Sequence, residues 1–317
     1  MAEPVTGEAI TTSGLGRVFG DRHAVCDLDL RVPTGQVMGL LGPNGAGKTT
    51  TIRMLTTLLA PTSGSARVAG LDVRRDPARA RRHIGYVPQE KGVRHLLTGR
   101  ESAEIEADLH HIPRRDRDRR VAEVLDLLGL LPDADRLVSE YSGGMQRRLD
   151  LACGLLHRPD VLILDEPTLG LDVPSRRQVW DHVRELRDGG GTVLLATNYL
   201  DEADALCDRV TILDRGRGVV TGTPAELKRK FGADVVVVRT RQADRLRQVL
   251  SGLSWVQQVK AVDDEVSVFV ADAPSALPAV VAEAQLHDVA VLRATYERPT
   301  LDDVFLRSTG RAAEGRP

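Results

Sequence analysis

The sequence predicts a mostly parallel α/β sheet followed by a smaller α+β domain, and three observations predict it. The apolar runs QVMGLLG (36–42), VLILD (161–165) and GTVLLAT (191–197) each have the length of a buried strand and are separated by helix patterns. The first run passes through a glycine-rich turn directly into a helix pattern opening at Lys48. Beyond Gly232 the rhythm changes to short elements in the order β-α-β-β-α-β.

Taken in order, QVMGLLG is a strand, and the helix after its turn is expected from Lys48 to about Leu59. VLILD and GTVLLAT supply further strands, and between them PSRRQVWDHVRELRDGG (174–190) has Pro at its start and Gly at its end, the punctuation of a helix. Strands alternating with such helices argue for a parallel sheet. RVTILDRGRGVVTGTPAELKRKFG (209–232) is a hairpin and a final helix stopped by Gly232. The first domain is therefore expected over 8–232. DVVVVRT, QADRLRQVLSGL, WVQQVKAV, EVSVFVA, APSALPAVVAEAQL and VAVLRATYE then predict a βαββαβ, ferredoxin-like domain over 233–308. Residues 309–317 are expected to be a frayed tail.

Composition narrows the function. The 317 residues are 42% hydrophobic and 28% charged, enough for ordinary cores under a polar surface. A net charge of −2 offers no basic field to nucleic acid. Cys26, Cys153 and Cys207 are an odd, scattered set, neither a disulfide framework nor a zinc spacing, and are expected as buried thiols in a reducing cytosol. MAEPVTGEAI lacks the regions of a signal peptide, and no apolar run approaches the ~18 residues of a membrane span. Work on a membrane would need spans from another chain. His110 and His111 are adjacent, expected on different helix faces and poorly spaced for a metal. Asp201, Glu202 and Asp204 fall in a helix's first turn, where acids suit the dipole.

The chemistry concentrates in GPNGAGKTT (42–50), a G-x-x-x-x-G-K-[ST] loop between strand and helix. Gly42, Gly45 and Gly47 permit close backbone approach, so that the loop of Gly42, Pro43, Asn44, Gly45, Ala46, Gly47 and Thr50, through the N–H groups of its residues other than Pro43, can surround phosphate oxygens at a helix N-terminus. Lys48 would neutralise the β- and γ-phosphates, and Thr49 would ligate Mg²⁺. In VLILDEP, Asp165 ends a buried strand within reach of that metal, and Glu166 is placed to polarise the water attacking the γ-phosphate.

Between these motifs lies EYSGGMQRRLDLACGLLHRP (140–159). With it the chain resembles the nucleotide-binding subunit of an ABC transporter, a P-loop NTPase with a helical subdomain, here at about 96–158. YSGGM stands where that family has its LSGGQ-type signature: Ser142, Gly143 and Gly144 match, while Tyr141 and Met145 depart. The resemblance implies a head-to-tail homodimer in which the signature closes over ATP on the partner's P-loop. It also implies that Gln89 contacts Mg²⁺ or water, that Asp172 lies at the dimer interface, and that Phe19 stacks on adenine, although an isolated Phe is more often core. Asn198 stands where the family has a switch histidine at the γ-phosphate. An amide there can donate a hydrogen bond but cannot carry a proton; capping the next helix is its other reading.

RPTLDDVFLRSTGR, near the C-terminus, is similar to the ending of daunorubicin/doxorubicin-resistance-type subunits. Through that resemblance the chain is expected to hydrolyse ATP at the cytoplasmic face of the cell membrane and to energise a separate ABC-2-type permease exporting a hydrophobic drug or antibiotic. Two alternatives stand beside it: an ABC ATPase acting on nucleic acid or ribosomes, and a regulatory module that binds ATP without hydrolysing it. The single cassette, with no long heptad run and no basic stripe, speaks against the first; Asn198 and Met145 motivate the second.

Overall fold

A computed structural model describes residues 7–90 and 95–310. The first six residues and 311–317, which hold most of the expected tail, lie outside the described residues. Two compact units divide the chain, one running through residue 224 and the other from 225.

The first unit opens with a hairpin that sequence reasoning missed, β1 (Glu8–Phe19) and β2 (Arg22–Pro33). Its signal was present: Gly20-Asp21 is a two-residue turn, with Gly20 at φ +56°. β3 (Val37–Leu41) leads to α1 (Lys48–Leu55), followed by β4 (Ser63–Val68), β5 (Leu71–Asp72), α2 (Pro77–Arg81) and β6 (Ile84–Val87). α1 ends at Leu55 rather than near Leu59. The Thr56 hydroxyl donates to the Ile52 carbonyl at 2.9 Å, and Thr57 turns left-handed at φ +64°. Threonine side chains compete for backbone groups in this way.

α3 (Gly99–Leu109), α4 (Arg114–Leu127) and α5 (Gly143–Leu155) pack on one another as a helical lobe. The α4 charge run is solvated, while Val121, Val124 and Leu125 face inward. His110 and His111 fall just past the end of α3 instead of riding on it, and His110 stacks on His157 with ring centroids 3.7 Å apart. The chain continues through β7 (Val161–Asp165), α6 (Val173–Asp188), β8 (Thr192–Thr197), α7 (Leu200–Leu206), β9 (Arg209–Asp214) and β10 (Arg217–Gly222). Glu202 on α7 is fully buried rather than a solvated dipole partner, and accepts from the Thr168 hydroxyl at 2.8 Å and the Trp180 indole at 3.0 Å.

Two sheets result. One is antiparallel, in the order β2-β1-β4-β5; the other runs β10-β9-β3-β8-β7-β6 and is parallel except at β10. Every residue of β3, β7 and β8 is buried, as befits strands covered on both faces. Ile10, Leu28, Met38, Leu40, Ile52, Ile163 and Leu194 join in one core cluster.

The second unit begins within α8 (Pro224–Phe231) and contains β11 (Asp234–Arg239), α9 (Ala243–Ser251), β12 (Val256–Val262), β13 (Glu265–Val270), α10 (Ala273–Leu286), β14 (Arg293–Glu297) and α11 (Leu301–Thr309). Its sheet runs β12-β13-β11-β14, antiparallel throughout, in the ferredoxin-like order expected from the sequence. Alternate strand residues Val236, Val238, Val266 and Val268 join Leu246, Leu250 and Val280 of the helices in a core of their own.

Candidate functional site

Strand register builds the site. Parallel pairing sets Leu41 opposite Thr197, Asp165 opposite Ala196 and Val87 opposite Leu164. Four strands therefore end level, and the residues following each carboxyl end crowd into one place. Gly47, at φ +107°, caps α1 without a side chain; a Cβ there would come within 2.7 Å of the Ala24 carbonyl. The first-turn N–H groups of α1 thus have no side-chain acceptor, which suits them to an anion.

Lys48 is only 4% exposed. Its ammonium donates to the carbonyls of Gly42 at 2.7 Å and Pro43 at 3.2 Å, and pairs with Glu166 Oε1 at 3.3 Å. Glu166 Oε2 accepts from the Gln89 amide at 3.1 Å. Glu166 also holds a left-handed backbone, φ +47°, a conformation costing an L-residue about 1–2 kcal/mol. Its N–H donates to the Ala196 carbonyl at 2.8 Å, which helps to hold it. Asp165 is fully buried, and Oδ1 accepts from the Thr49 hydroxyl at 3.3 Å. Burial pushes its carboxyl above the usual range; the Thr49 hydrogen bond and Lys48 oppose that and Glu166 adds to it. Asp165 Oδ2 is buried without a hydrogen-bond partner among the described residues. An orphaned carboxylate oxygen beside a threonine hydroxyl is a donor set that a hard divalent cation completes.

Phe19, Asn44, Gly45, Gly47, Lys48, Thr49, Thr50, Gln89 and Glu166 line one cleft of 370 Å³, joined by Arg22 and Ala24, which sequence reasoning missed. Phe19 is 46% exposed, and the Arg17 guanidinium lies 4.6 Å from its ring centre. Ser142, Gly143, Gly144, Asp172 and Asn198 are not in the cleft lining. Ser142 is exposed and caps α5 by accepting the Met145 N–H at 3.2 Å. Asp172 caps α6 through the Ser175 N–H at 2.9 Å, and that residue's hydrogen bonds hold its carboxyl below the usual range. A Cβ on Gly144 would meet the Ser175 hydroxyl at 2.5 Å, so the signature turn sits tightly against α6. Asn198 does not cap α7: Tyr199 is the cap residue, and its N–H goes to the Thr197 hydroxyl at 3.0 Å. Asn198 Oδ1 is buried and unpartnered among the described residues.

Known proteins resemble this chain in sequence and in fold. The daunorubicin resistance ATP-binding protein DrrA3 of Streptomyces coeruleorubidus is 44% identical over 95% of this chain and 96% of its own length. The chain belongs to the ABC transporter family. The ABC transporter family model matches residues 25–169, and that of the DrrA1-3-like ATP-binding protein C-terminal domain matches 222–309. The Nod factor export ATP-binding protein I of Ralstonia nicotianae is 36% identical over 95% of this chain and 94% of its own. Among solved structures, an ATP-binding subunit of an ABC transporter is 28% identical with a TM-score of 0.63, over 70% of this chain and 93% of that one. CbiO1 from Clostridium perfringens, part of the CbiONQ ABC transporter complex, is 26% identical with a TM-score of 0.64, over 69% and 90%. As an ABC ATPase, the chain is a nucleotide-binding, ATP-hydrolysing cassette with a C-terminal domain. No helix among the described residues is long and apolar enough to cross a membrane.

Proposed function

We propose that the cleft binds and cleaves ATP and that cleavage energises a separate ABC-2-type membrane permease exporting a hydrophobic drug or antibiotic. One observation supports the site reading above all: Lys48, Thr49, Gln89, Asp165 and Glu166, from three separate segments, meet through contacts of 3.1–3.3 Å. The drug class rests on the resistance proteins at 44% identity.

In this reading Phe19 stacks on adenine, the loop of Gly42 to Thr50 cradles the phosphates, and the Lys48 ammonium answers their charge. Thr49, Asp165 and Gln89 would hold Mg²⁺, which when bound neutralises charge on the phosphate oxygens. Glu166 polarises the attacking water and takes its proton as the bond to the γ-phosphorus forms and the bridging bond to ADP breaks. Asn198 donates a hydrogen bond to the γ-phosphate. Ser142, Gly143, Gly144 and Asp172 of a second copy close the site, consistent with the exposure of Ser142, Gly143 and Asp172 outside the cleft and with Gly144 packed against Ser175. The cassette over 8–232, with its helical subdomain at about 96–158, carries this chemistry; 233–308 is an accessory domain. Docking on the permease holds the homodimer at the cytoplasmic membrane face, with no nucleic acid involved.

Glu166→Gln tests the site. The variant is expected to bind ATP as the wild type does, to release phosphate at least about a hundredfold more slowly, and to accumulate as an ATP-dependent dimer in size-exclusion chromatography with Mg-ATP. Wild-type phosphate release would remove Glu166 from the chemistry; strictly monomeric elution would remove the composite site.

A further inference from the structure

Arg147 is a charged side chain with only 3% of its surface exposed, on the helix that Ser142 caps. Its guanidinium donates through Nε to the Pro167 carbonyl at 2.7 Å, through Nη1 to the Pro88 carbonyl at 2.6 Å and through Nη2 to the Asp165 carbonyl at 3.0 Å. The nearest carboxylate oxygen, on Asp150, stands farther off at 3.7 Å. The main investment of this buried cation is therefore in backbone. The three acceptors are not scattered: Asp165 and Pro167 flank Glu166, and Pro88 precedes Gln89. Glu166 and Gln89 are the pair joined at 3.1 Å, and Glu166 is the residue held left-handed.

We infer that Arg147 is a positioning residue for ATP cleavage: one planar guanidinium fixes the backbone on both sides of Glu166 and ahead of Gln89 relative to the helix that carries Ser142. The inference rests on the reading that Glu166 and Gln89 act in cleavage. Arginine suits the task because its donors are fixed in one plane and can reach three carbonyls from three directions. A lysine ammonium on its flexible stem cannot reproduce that fork. Glu166 cannot drift without dragging a carbonyl off the guanidinium. A shift of α5 is carried through the same group to the base and to the glutamine together. Arg147 does not line the cleft, so its loss leaves the phosphate contacts in place and disturbs the alignment of the water-activating groups.

The test uses the purified full chain with Arg147→Lys and Arg147→Gln, the second removing the buried charge while keeping an amide donor. Each is measured alone and combined with Gln89→Ala, for melting temperature, affinity for a fluorescent ATP analogue, and kcat and KM of phosphate release. The expected result is a cooperative melting transition, nucleotide affinity and KM within about threefold of wild type, and kcat down about 10- to 100-fold, the scale of a misplaced catalytic group. The combination with Gln89→Ala is expected to be scarcely slower than the slower single variant, because the two act through one alignment. The inference is overturned by kcat within about twofold of wild type, by losses that multiply fully in the double variant, or by loss of the melting transition in both substitutions, each a mark of a residue that serves stability alone. If Glu166→Gln keeps wild-type turnover, the base assignment itself has failed; if Glu166→Gln is inactive and Arg147→Lys is normal, only the Arg147 role has.

Discussion

The two halves of the nucleotide machinery proposed for this ABC ATPase are built in opposite ways. Around the phosphate loop, Lys48, Asp165 and Glu166 are 4%, 0% and 6% exposed, and their polar atoms are tied mainly to one another and to neighbouring backbone. Around the signature, Ser142 and Gly143 lie at the surface, and the side chains of Ser142 and Asp172 serve as caps of α5 and α6. The first half is held by the register of its strands, whose level ends bring its residues together. The second is kept in shape by helix capping, a local device that asks nothing of the cleft. A half-site stabilised locally can be offered to another molecule without unfolding anything.

Lys48→Ala attacks the buried half and should have the largest effect. Removing one partner of a buried pair leaves Glu166 unpaired, at a cost of about 3–5 kcal/mol in stability, and with the phosphate-facing ammonium gone turnover should be abolished. ATP binding should fall as well. Isothermal titration and phosphate release check this, and unchanged affinity and turnover would show that the cleft is not the phosphate site. Asn198→Ala comes next, just past the end of β8. Losing one charge-assisted hydrogen bond of about 1.5–3 kcal/mol predicts turnover 10- to 150-fold slower, read as kcat at saturating Mg-ATP with melting temperatures as the folding control. A variant matching wild type would make this strand-end residue a spectator. Ser142→Ala probes the exposed half and should be mildest in the isolated chain: about 1 kcal/mol of stability lost with the cap, nucleotide affinity unchanged, turnover reduced. Should its nucleotide affinity fall as far as that of Lys48→Ala, the two halves would belong to a single chain's cleft and the contrast would collapse.

The two halves also differed in how readable they were from sequence. GPNGAGKTT and VLILDEP announce chemistry because their side chains are the reagents and the strands beside them are continuous apolar runs. The C-terminal βαββαβ order was readable for the related reason that each of its strands is bounded by turn residues. The β1–β2 hairpin was passed over although Gly20-Asp21 marks its turn, because its long strands carry no chemical motif. Arg22 and Ala24 were lost from the site with it. The end of α1 was set too late because nothing in periodicity alone reports a Thr56 hydroxyl turning back on Ile52. Asn198 was offered as a possible cap because its position allowed it; the Thr197 hydroxyl, one residue earlier, holds the Tyr199 N–H instead. Arg147 left the faintest trace, since its partners are peptide carbonyls and any sequence supplies those.

The pairing of Lys48 with Glu166 ties the phosphate-loop cation directly to the proposed base. Beside the Gly42 and Pro43 carbonyls, at 2.7 and 3.2 Å, the ammonium meets the Glu166 carboxylate at 3.3 Å, and that charged group is the one an incoming phosphate would most strongly repel. In the proposed mechanism binding therefore acts as an interlock: the phosphate that claims Lys48 also loosens its hold on the base. Nucleotide binding and the freeing of the proposed base are thereby coupled through two side chains.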